Sequence, residues 1–108
     1  MIAVIFEVWP ETGREDAYFD WARKLRPELE RIDGFLSVER FRSIAEGGKL
    51  LSLSFWRDEE AVAAWRAHVE HKLAQEAGRS GLFSNYRLRV AKVNRDYGMR
   101  ERGEAPRA

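Results

Sequence analysis

Apolar and polar residues follow one another along this chain in patterns that predict four β-strands and two helices. The first run, Ile2 to Trp9, is apolar on both of its faces and is broken only by Glu7. Apolar residues on both faces are typical of a central strand that is covered on two sides. Three later runs alternate with a period of two and predict the remaining strands: Phe35–Ser43, Lys49–Trp56 and Tyr86–Asn94.

The first helix is predicted between strands one and two. Thr12 and Glu15 have the spacing of a capping box at its start. Pro27 lacks the amide hydrogen that the helical ladder needs, so we expect a kink or break near Arg26. The apolar stripe of this helix has steps of three and four residues and comprises Tyr18, Ala22, Leu25, Leu29 and Ile32.

The second helix is predicted after the third strand. Asp58 is its expected N-cap, followed by acidic residues that suit the positive end of the helix dipole. Trp65 and His68 lie three residues apart on one stripe of this helix. Gly78 is expected to end it.

The order strand, helix, strand, strand, helix, strand predicts an α+β fold. Two split βαβ units with right-handed crossovers form a ferredoxin-like βαββαβ domain, whose four-stranded antiparallel sheet carries both helices on one face. We expect this domain to span residues 1–97, followed by a charged and mobile C-terminal tail over 98–108.

The uncovered face of this sheet predicts a homodimer. Strand one is apolar on both sides, and strand three carries Trp56 opposite its Leu51, Leu53 and Phe55 side. Because two helices cover only one face, large apolar side chains would remain exposed on a monomer. A two-fold dimer in which two sheets face each other covers them. The alternative is that Trp9 and Trp56 lie at strand ends under loops.

Composition narrows the classes of function. The chain of 108 residues has 19 Lys and Arg against 18 Asp and Glu and no cysteine. This balance argues against a nucleic-acid binder, and the missing thiols exclude disulfides and thiolate metal sites. No apolar run approaches the roughly 20 residues that span a bilayer, and the N-terminus is unlike a signal peptide. We therefore expect a cytoplasmic single domain without a membrane partner.

Several residues then resemble one family. These are the first-strand run, Gly34-Phe35 at the start of strand two, and the pattern of Trp56, Ala61 and Trp65, with His68 and His71 following. Over about residues 1–97 the chain resembles the antibiotic biosynthesis monooxygenase family of the dimeric α+β barrel superfamily. The resemblance implies a pocket between the sheet and the helices that opens near helix two.

The resemblance also implies a function. The preferred expectation is a small monooxygenase without a cofactor, which uses dioxygen on an aromatic or quinol-type molecule. Two alternatives are a ligand-binding or stress-response module without chemistry and a haem-degrading monooxygenase. The haem branch is third because Glu7 stands where that branch has an asparagine, and the axial position falls nearer Gln75 than either histidine.

Two residues are candidates for catalysis and five for substrate binding. Glu7 is a carboxylate in an apolar strand, and burial would raise its pKa and make it a general base; the alternative is pairing with an arginine. His68 shares a helical face with Trp65 and is a candidate base or hydrogen-bond donor. The expected substrate-binding residues are Trp65, Trp56, Phe6, Phe55 and His71. The two histidines are too few for a metal site, so we expect no metal.

Four arginines on the outer strands have a simpler interpretation. Arg40 and Arg42 on strand two, like Arg87 and Arg89 on strand four, are interpreted as solvated sheet edge that opposes aggregation. Binding of an acidic ligand is the alternative.

Overall fold

A computed structural model describes residues 1–77 and 81–107, with the side chains of 74–77 left aside. It contains the expected βαββαβ order. The elements are β1 (Ile2–Pro10), α1 (Glu15–Glu30), β2 (Phe35–Arg42), β3 (Leu50–Trp56), α2 (Glu59–Ala77) and β4 (Phe83–Lys92). The predicted end of α2 at Gly78 lies outside the described residues.

The four strands form one antiparallel sheet in the order β2-β3-β1-β4. The prediction of a ferredoxin-like fold is therefore confirmed. β1 pairs with β3 on one side and β4 on the other, so it is a central strand of the sheet, as its apolar run predicts. Val4 and Val8 are fully buried under the helices.

A β-bulge at the start of β2 changes the face on which its first residues lie. The pairing with β3 shifts between Phe35 and Ser37. Phe35 consequently packs against Trp56 on the helix side, with ring centroids 5.4 Å apart, and Leu36 is 52% exposed. A strict period of two would put Leu36 on the side of Val38, but the extra residue of the bulge breaks this alternation.

The starts of the two helices differ in how they are capped. α1 begins after Arg14, which makes no side-chain cap, so the predicted capping box of Thr12 and Glu15 is wrong. A backbone turn precedes the helix instead, in which Arg14 N donates to Glu11 O at 2.8 Å. At α2 the prediction is confirmed, since Ala61 N donates to Asp58 Oδ1 at 2.9 Å.

α1 continues through Pro27 to Glu30, so the predicted break near Arg26 does not occur. Its predicted stripe packs on the sheet with Tyr18, Ala22, Leu25 and Leu29 buried. The tight turn after α1 brings Gly34, at φ +95°, next to the first turn of α2. Arg57 N donates to Gly34 O at 2.8 Å and joins this turn to the start of α2.

The opposite face of the sheet is not covered by the helices. Leu53 and Phe55 lie on this open face, where they pair with Ile5 and Ala3 of β1. Trp56 instead points under the helices and is fully buried. Trp56 therefore belongs to the core, whereas Phe55 of β3 and Phe41 of β2 lie on the open face.

Candidate functional site

The groove between the two helices closes over the sheet to form a small cavity. Tyr18, Trp21 and Leu25 reach it from α1, while Trp65 and Val69 reach it from α2. Spacings of three and four residues put each set on the side of its helix that faces the sheet. The cavity measures about 20 Å³, room for a single water molecule.

The floor of this cavity is polar. The antiparallel register places Arg40 of β2 opposite Ser52 of β3, and Ser52 in turn opposite Phe6 of β1. Ser54 lies one pleat further along, where its Oγ accepts a hydrogen bond from Trp56 Nε1 at 2.9 Å. Ser54 accepts this bond and keeps its own O–H as a donor, so Arg40, Ser52 and Ser54 are the polar groups of the floor.

Arg40 is half-buried, and its Nε is enclosed without a hydrogen-bond partner among the residues that the structure describes. Of the described lining residues, it is the only one with a formal charge. A buried donor without a partner is unfavourable by about 1–3 kcal/mol. The cavity therefore contains an unsatisfied cationic donor.

Tyr18 brings a hydroxyl to the same cavity from α1. The residue is 1% exposed, and burial raises the pKa of its phenol above the usual 10.0, although the nearby Arg40 guanidinium acts in the opposite direction. Burial acts in this way because it disfavours the charged phenolate. At neutral pH Tyr18 therefore keeps its proton, so its oxygen accepts a hydrogen bond from the Arg40 side chain and its O–H can donate to a ligand.

A second cavity of about 30 Å³ lies on the other side of Trp65, toward β4. Phe6, Trp65 and Val69 line both cavities. Trp65 thus forms part of the wall between them, and displacement of its indole would enlarge either one.

The structure brings two of the predicted substrate-binding residues together. Phe6 and Trp65 line both cavities, as just described. Trp56 lies behind Trp65, with ring centroids 6.2 Å apart, and its Nε1 is engaged by Ser54. Phe55 lies on the open face of the sheet and His71 is exposed on α2. Phe55 and His71 therefore do not share the cavity of Phe6 and Trp65.

His68 lies between the two helices instead of facing the sheet. Its Nε2 is 3.6 Å from Glu28 Oε1, and Lys72 Nζ is 3.8 Å from the same oxygen. His68 does not belong to the described lining of either cavity. Its placement joins α2 to α1 and gives it no direct access to a ligand under the helices.

Glu7 lies on the open face, on the side of the sheet opposite to the cavity. Its carboxylate bonds to Lys49 Nζ at 2.7 Å and to Arg89 Nη1. The hydrogen bond from Lys49 is the main cause that lowers the pKa of Glu7 below its ordinary 4.5. The expectation of a general base with a raised pKa is corrected, because two cations stabilise the ionised form. The alternative, pairing with an arginine of a neighbouring strand, is what the structure contains.

Sequence reasoning missed the role of Tyr18 and Ser52, and it assigned Arg40 to a solvated edge. Arg40 instead lines the cavity, because it shares a face with the buried Val38. The alternation of β2 already placed Arg40 on the side of Val38, which is the signal that could have identified it. Arg42 follows the earlier interpretation more closely, since it is exposed and pairs with Glu15.

Among the described side chains, those of residues 1–73 and 81–107, no group of three or more His, Asp or Glu is arranged to hold a metal ion. No described helix has the length and apolar character to cross a bilayer. The side chain of Gln75, which bears on the haem alternative, lies outside the described part.

Comparison with known proteins identifies the family. The model of the antibiotic biosynthesis monooxygenase family matches residues 1–77. The chain belongs to this family. The matched segment includes β1, both helices and the polar floor on β2 and β3, so the cavity lies within the part that defines the family.

Two relatives have sequences similar to most of this chain. A protein called jasmonate monooxygenase ABM, from Pyricularia oryzae, is 48% identical over 93 residues, which are 86% of this chain and 43% of that protein. The chain thus spans less than half of that relative. The uncharacterized protein YqjZ from Bacillus subtilis is 44% identical over 86% of this chain and 79% of its own.

A solved structure from Deinococcus radiodurans that carries the same family designation superimposes with a TM-score of 0.77. It covers 92% of this chain and 98% of its own at 10% identity. At this identity the likeness shows a common fold.

Proposed function

We propose that this chain is a monooxygenase that oxidises a small aromatic or quinol-type molecule with dioxygen in the cavity beneath its helices, without a bound cofactor. The observation that carries the proposal is an aromatic enclosure, formed by Phe6, Trp21 and Trp65, over a polar floor. Flat ligands stack on such walls while a few polar groups orient them. Membership of the family and the name of the Pyricularia relative support an oxygenase.

The proposed chemistry draws its electrons from the substrate. A phenol loses its proton to a water molecule, and the resulting carbanion character at a ring carbon reduces dioxygen. One oxygen atom enters that carbon and the other leaves as water, so that a phenol and one dioxygen become a quinone and one water. The C–H and O–H bonds of the substrate supply the two electrons that the second oxygen atom requires.

The residues of the cavity would assist by holding charge and excluding water. Neutral Tyr18 donates a hydrogen bond, and Arg40 stabilises negative charge on a substrate oxygen. In a site shielded from water both interactions are stronger than at the surface. Because the cavity holds about one water molecule, the substrate must displace side chains, and displacement of Trp65 would join the two cavities that it lines.

Oxygen uptake tests this proposal directly. A panel of hydroquinones, naphthols and anthrones is incubated with the protein, oxygen is followed with an electrode, and incorporation from labelled dioxygen is measured by mass spectrometry. Tyr18→Phe should lower the rate about 10-fold or more, as expected for loss of one hydrogen bond to a charged oxygen. Tyr97→Phe is the matched control, because Tyr97 is 44% exposed and lies after β4. Equal rates in both variants would contradict the proposed site.

One observation favours a second function, namely binding without chemistry. The described lining of the cavity contains neither a carboxylate nor an imidazole, so no strong base faces the substrate. Saturable binding of members of the panel without oxygen uptake would favour this ligand-binding module. The haem-degrading alternative predicts a shift of the haem absorption band on titration with haemin.

The same proposal includes a homodimer that forms through the open face. Leu53 and Phe55 are only partly buried there, and Phe41 is 42% exposed. A second copy of the sheet would remove these side chains from water. Native mass spectrometry should detect a dimer that Leu53→Lys disrupts. Ile44→Lys is the control, because Ile44 is fully exposed in the turn between β2 and β3.

A further inference from the structure

The positive charge of Arg40 lacks a counter-charge under the helices. None of the ion pairs formed by the described residues includes Arg40. Arg42, two residues later on the same strand, bonds to Glu15 instead. The Nε of Arg40 is also enclosed without a hydrogen-bond partner in the described part of the chain. Arg40 therefore differs from its neighbour in having a buried donor and no acid.

The described residues around Arg40 supply additional donors but no anion. Ser52 lies directly opposite Arg40 in the sheet, and the phenol of Tyr18 approaches from α1. Both side chains are neutral and both can donate a hydrogen bond. An anionic oxygen placed among these three groups would receive donors from the guanidinium and from two hydroxyls. The guanidinium plane matches a carboxylate in particular, since it bonds both oxygens at once.

The lining beyond Arg40 is hydrophobic, so a ligand larger than the water-sized cavity would contact apolar side chains as it displaces them. Phe6, Trp65 and Val69 continue the lining toward α2 and carry no charge. A ligand with its acid group at Arg40 would therefore extend its apolar part along Trp65. A neutral ligand of the same shape would leave the guanidinium unsatisfied.

From this arrangement we infer that the cavity selects an organic carboxylate, and that Arg40 binds the carboxylate group of the ligand with help from Tyr18 and Ser52. The inference rests on the proposed function for the location of the ligand and adds its chemical class. It concerns recognition alone, so it holds whether the bound acid is oxidised or only retained.

A pair of probes that differ only in charge tests the inference. Phenylacetate and its neutral analogue phenylacetamide have the same ring and nearly the same shape. Titrations followed by calorimetry at neutral pH should give phenylacetate the higher affinity, by about 10- to 100-fold, the range expected for hydrogen bonds to a charged group. In Arg40→Gln the two affinities should become similar.

Arg42→Gln is the matched control, since it removes the same charge from the same strand but from an exposed guanidinium paired with Glu15. It should retain the preference of the wild type. Arg40→Lys keeps the charge but loses the fork of donors, so it should retain only part of the preference. Circular dichroism of each variant verifies that the fold is intact.

Three results would overturn the inference: no saturable binding of phenylacetate by the wild type, equal affinity of the wild type for both probes, or an undiminished preference in folded Arg40→Gln. The titrations measure binding without turnover. A chain that prefers the carboxylate yet consumes no oxygen would contradict the proposed oxygenase while supporting the role of Arg40. A chain that oxidises neutral phenols without any preference for acids would support the proposed oxygenase and contradict the role of Arg40.

Discussion

Gly34 is the position where one added methyl group should be most harmful to the fold. The residue has φ +95°, in the region that L-residues rarely adopt. A Cβ placed there would lie 2.6 Å from the Cβ of Ala61, in the first turn of α2. Because the Ala61 Cβ is attached directly to the helix backbone, it cannot rotate away. Gly34→Ala therefore requires the helix or the turn to shift.

Two contributions add in this variant. The left-handed conformation of an alanine is unfavourable by about 1–2 kcal/mol. Overpacking against a rigid neighbour adds about 1–3 kcal/mol. In the opposite direction, the unfolded chain has less conformational freedom with alanine than with glycine, which stabilises the folded state by roughly 0.4–1 kcal/mol. We expect the free energy of unfolding to fall by about 2–4 kcal/mol, a large share of the total of a small domain.

Urea denaturation at one protein concentration, followed by circular dichroism, measures this loss. Gly48→Ala is the control for the backbone contribution, because Gly48 has φ +79° and no atom within 4 Å of the added Cβ. It should lose only about 1 kcal/mol. In the double variant Gly34→Ala/Ala61→Gly the contact is gone, so the combined loss should be smaller than the sum of the two single losses. A Gly34→Ala that is no less stable than Gly48→Ala, or a strictly additive double variant, would refute the argument.

Three further outcomes follow from the electrostatics. Asp58→Ala should lower the thermal midpoint more than Glu59→Ala, since Asp58 caps α2 through the 2.9 Å bond from Ala61 N; equal midpoints would contradict this. Because the pKa of Glu7 is lowered in the folded protein, ionised Glu7 stabilises the fold above pH 4.5, and this stabilisation is lost as the pH falls through the folded pKa. The free energy of unfolding measured with urea should therefore decline more steeply below pH 4.5 in the wild type than in Glu7→Gln. The raised pKa of Tyr18 predicts that Tyr18→Phe removes less tyrosinate absorbance at pH 10.0 than the half of one tyrosinate that a tyrosine of ordinary pKa contributes; a loss of half or more would contradict it. The stability linked to Tyr18 is complete below pH 10.0 and declines as the pH rises through the folded pKa.

The features that the sequence predicted correctly are those that depend on local periodicity. The two-sided apolar run of β1 indicated a central strand, and β1 pairs on both edges. The stripe from Tyr18 to Leu29 indicated the buried side of α1, and these residues are buried. Asp58 was identified as a cap from its position before an acidic turn. In each case the signal lies within a few residues of the structure that it predicts.

The predictions were wrong where a long-range contact or a change of strand register determines the surroundings of a residue. The bulge before Ser37 puts Phe35 on the helix side of the sheet, and no turn residue in the sequence marks this bulge. Glu7 seemed anomalous in an apolar strand, but Lys49 and Arg89, 42 and 82 positions away, neutralise it. Thr12 has the spacing of a cap, but a backbone turn occupies that place.

By itself the sequence determined the strands, the helices and their order, because apolar periodicity and caps act over one or two turns of chain. It also indicated the family, through residues within the segment that the family model matches. Only the tertiary structure decided which side chains meet. It placed Arg40, Tyr18 and Ser52 at one cavity and separated Glu7 from it by the full thickness of the sheet. The physical reason is that charges and hydrogen bonds act between groups that are close in space. The groups that meet at this cavity come from strands and helices that are far apart in the chain, so no local pattern reveals them.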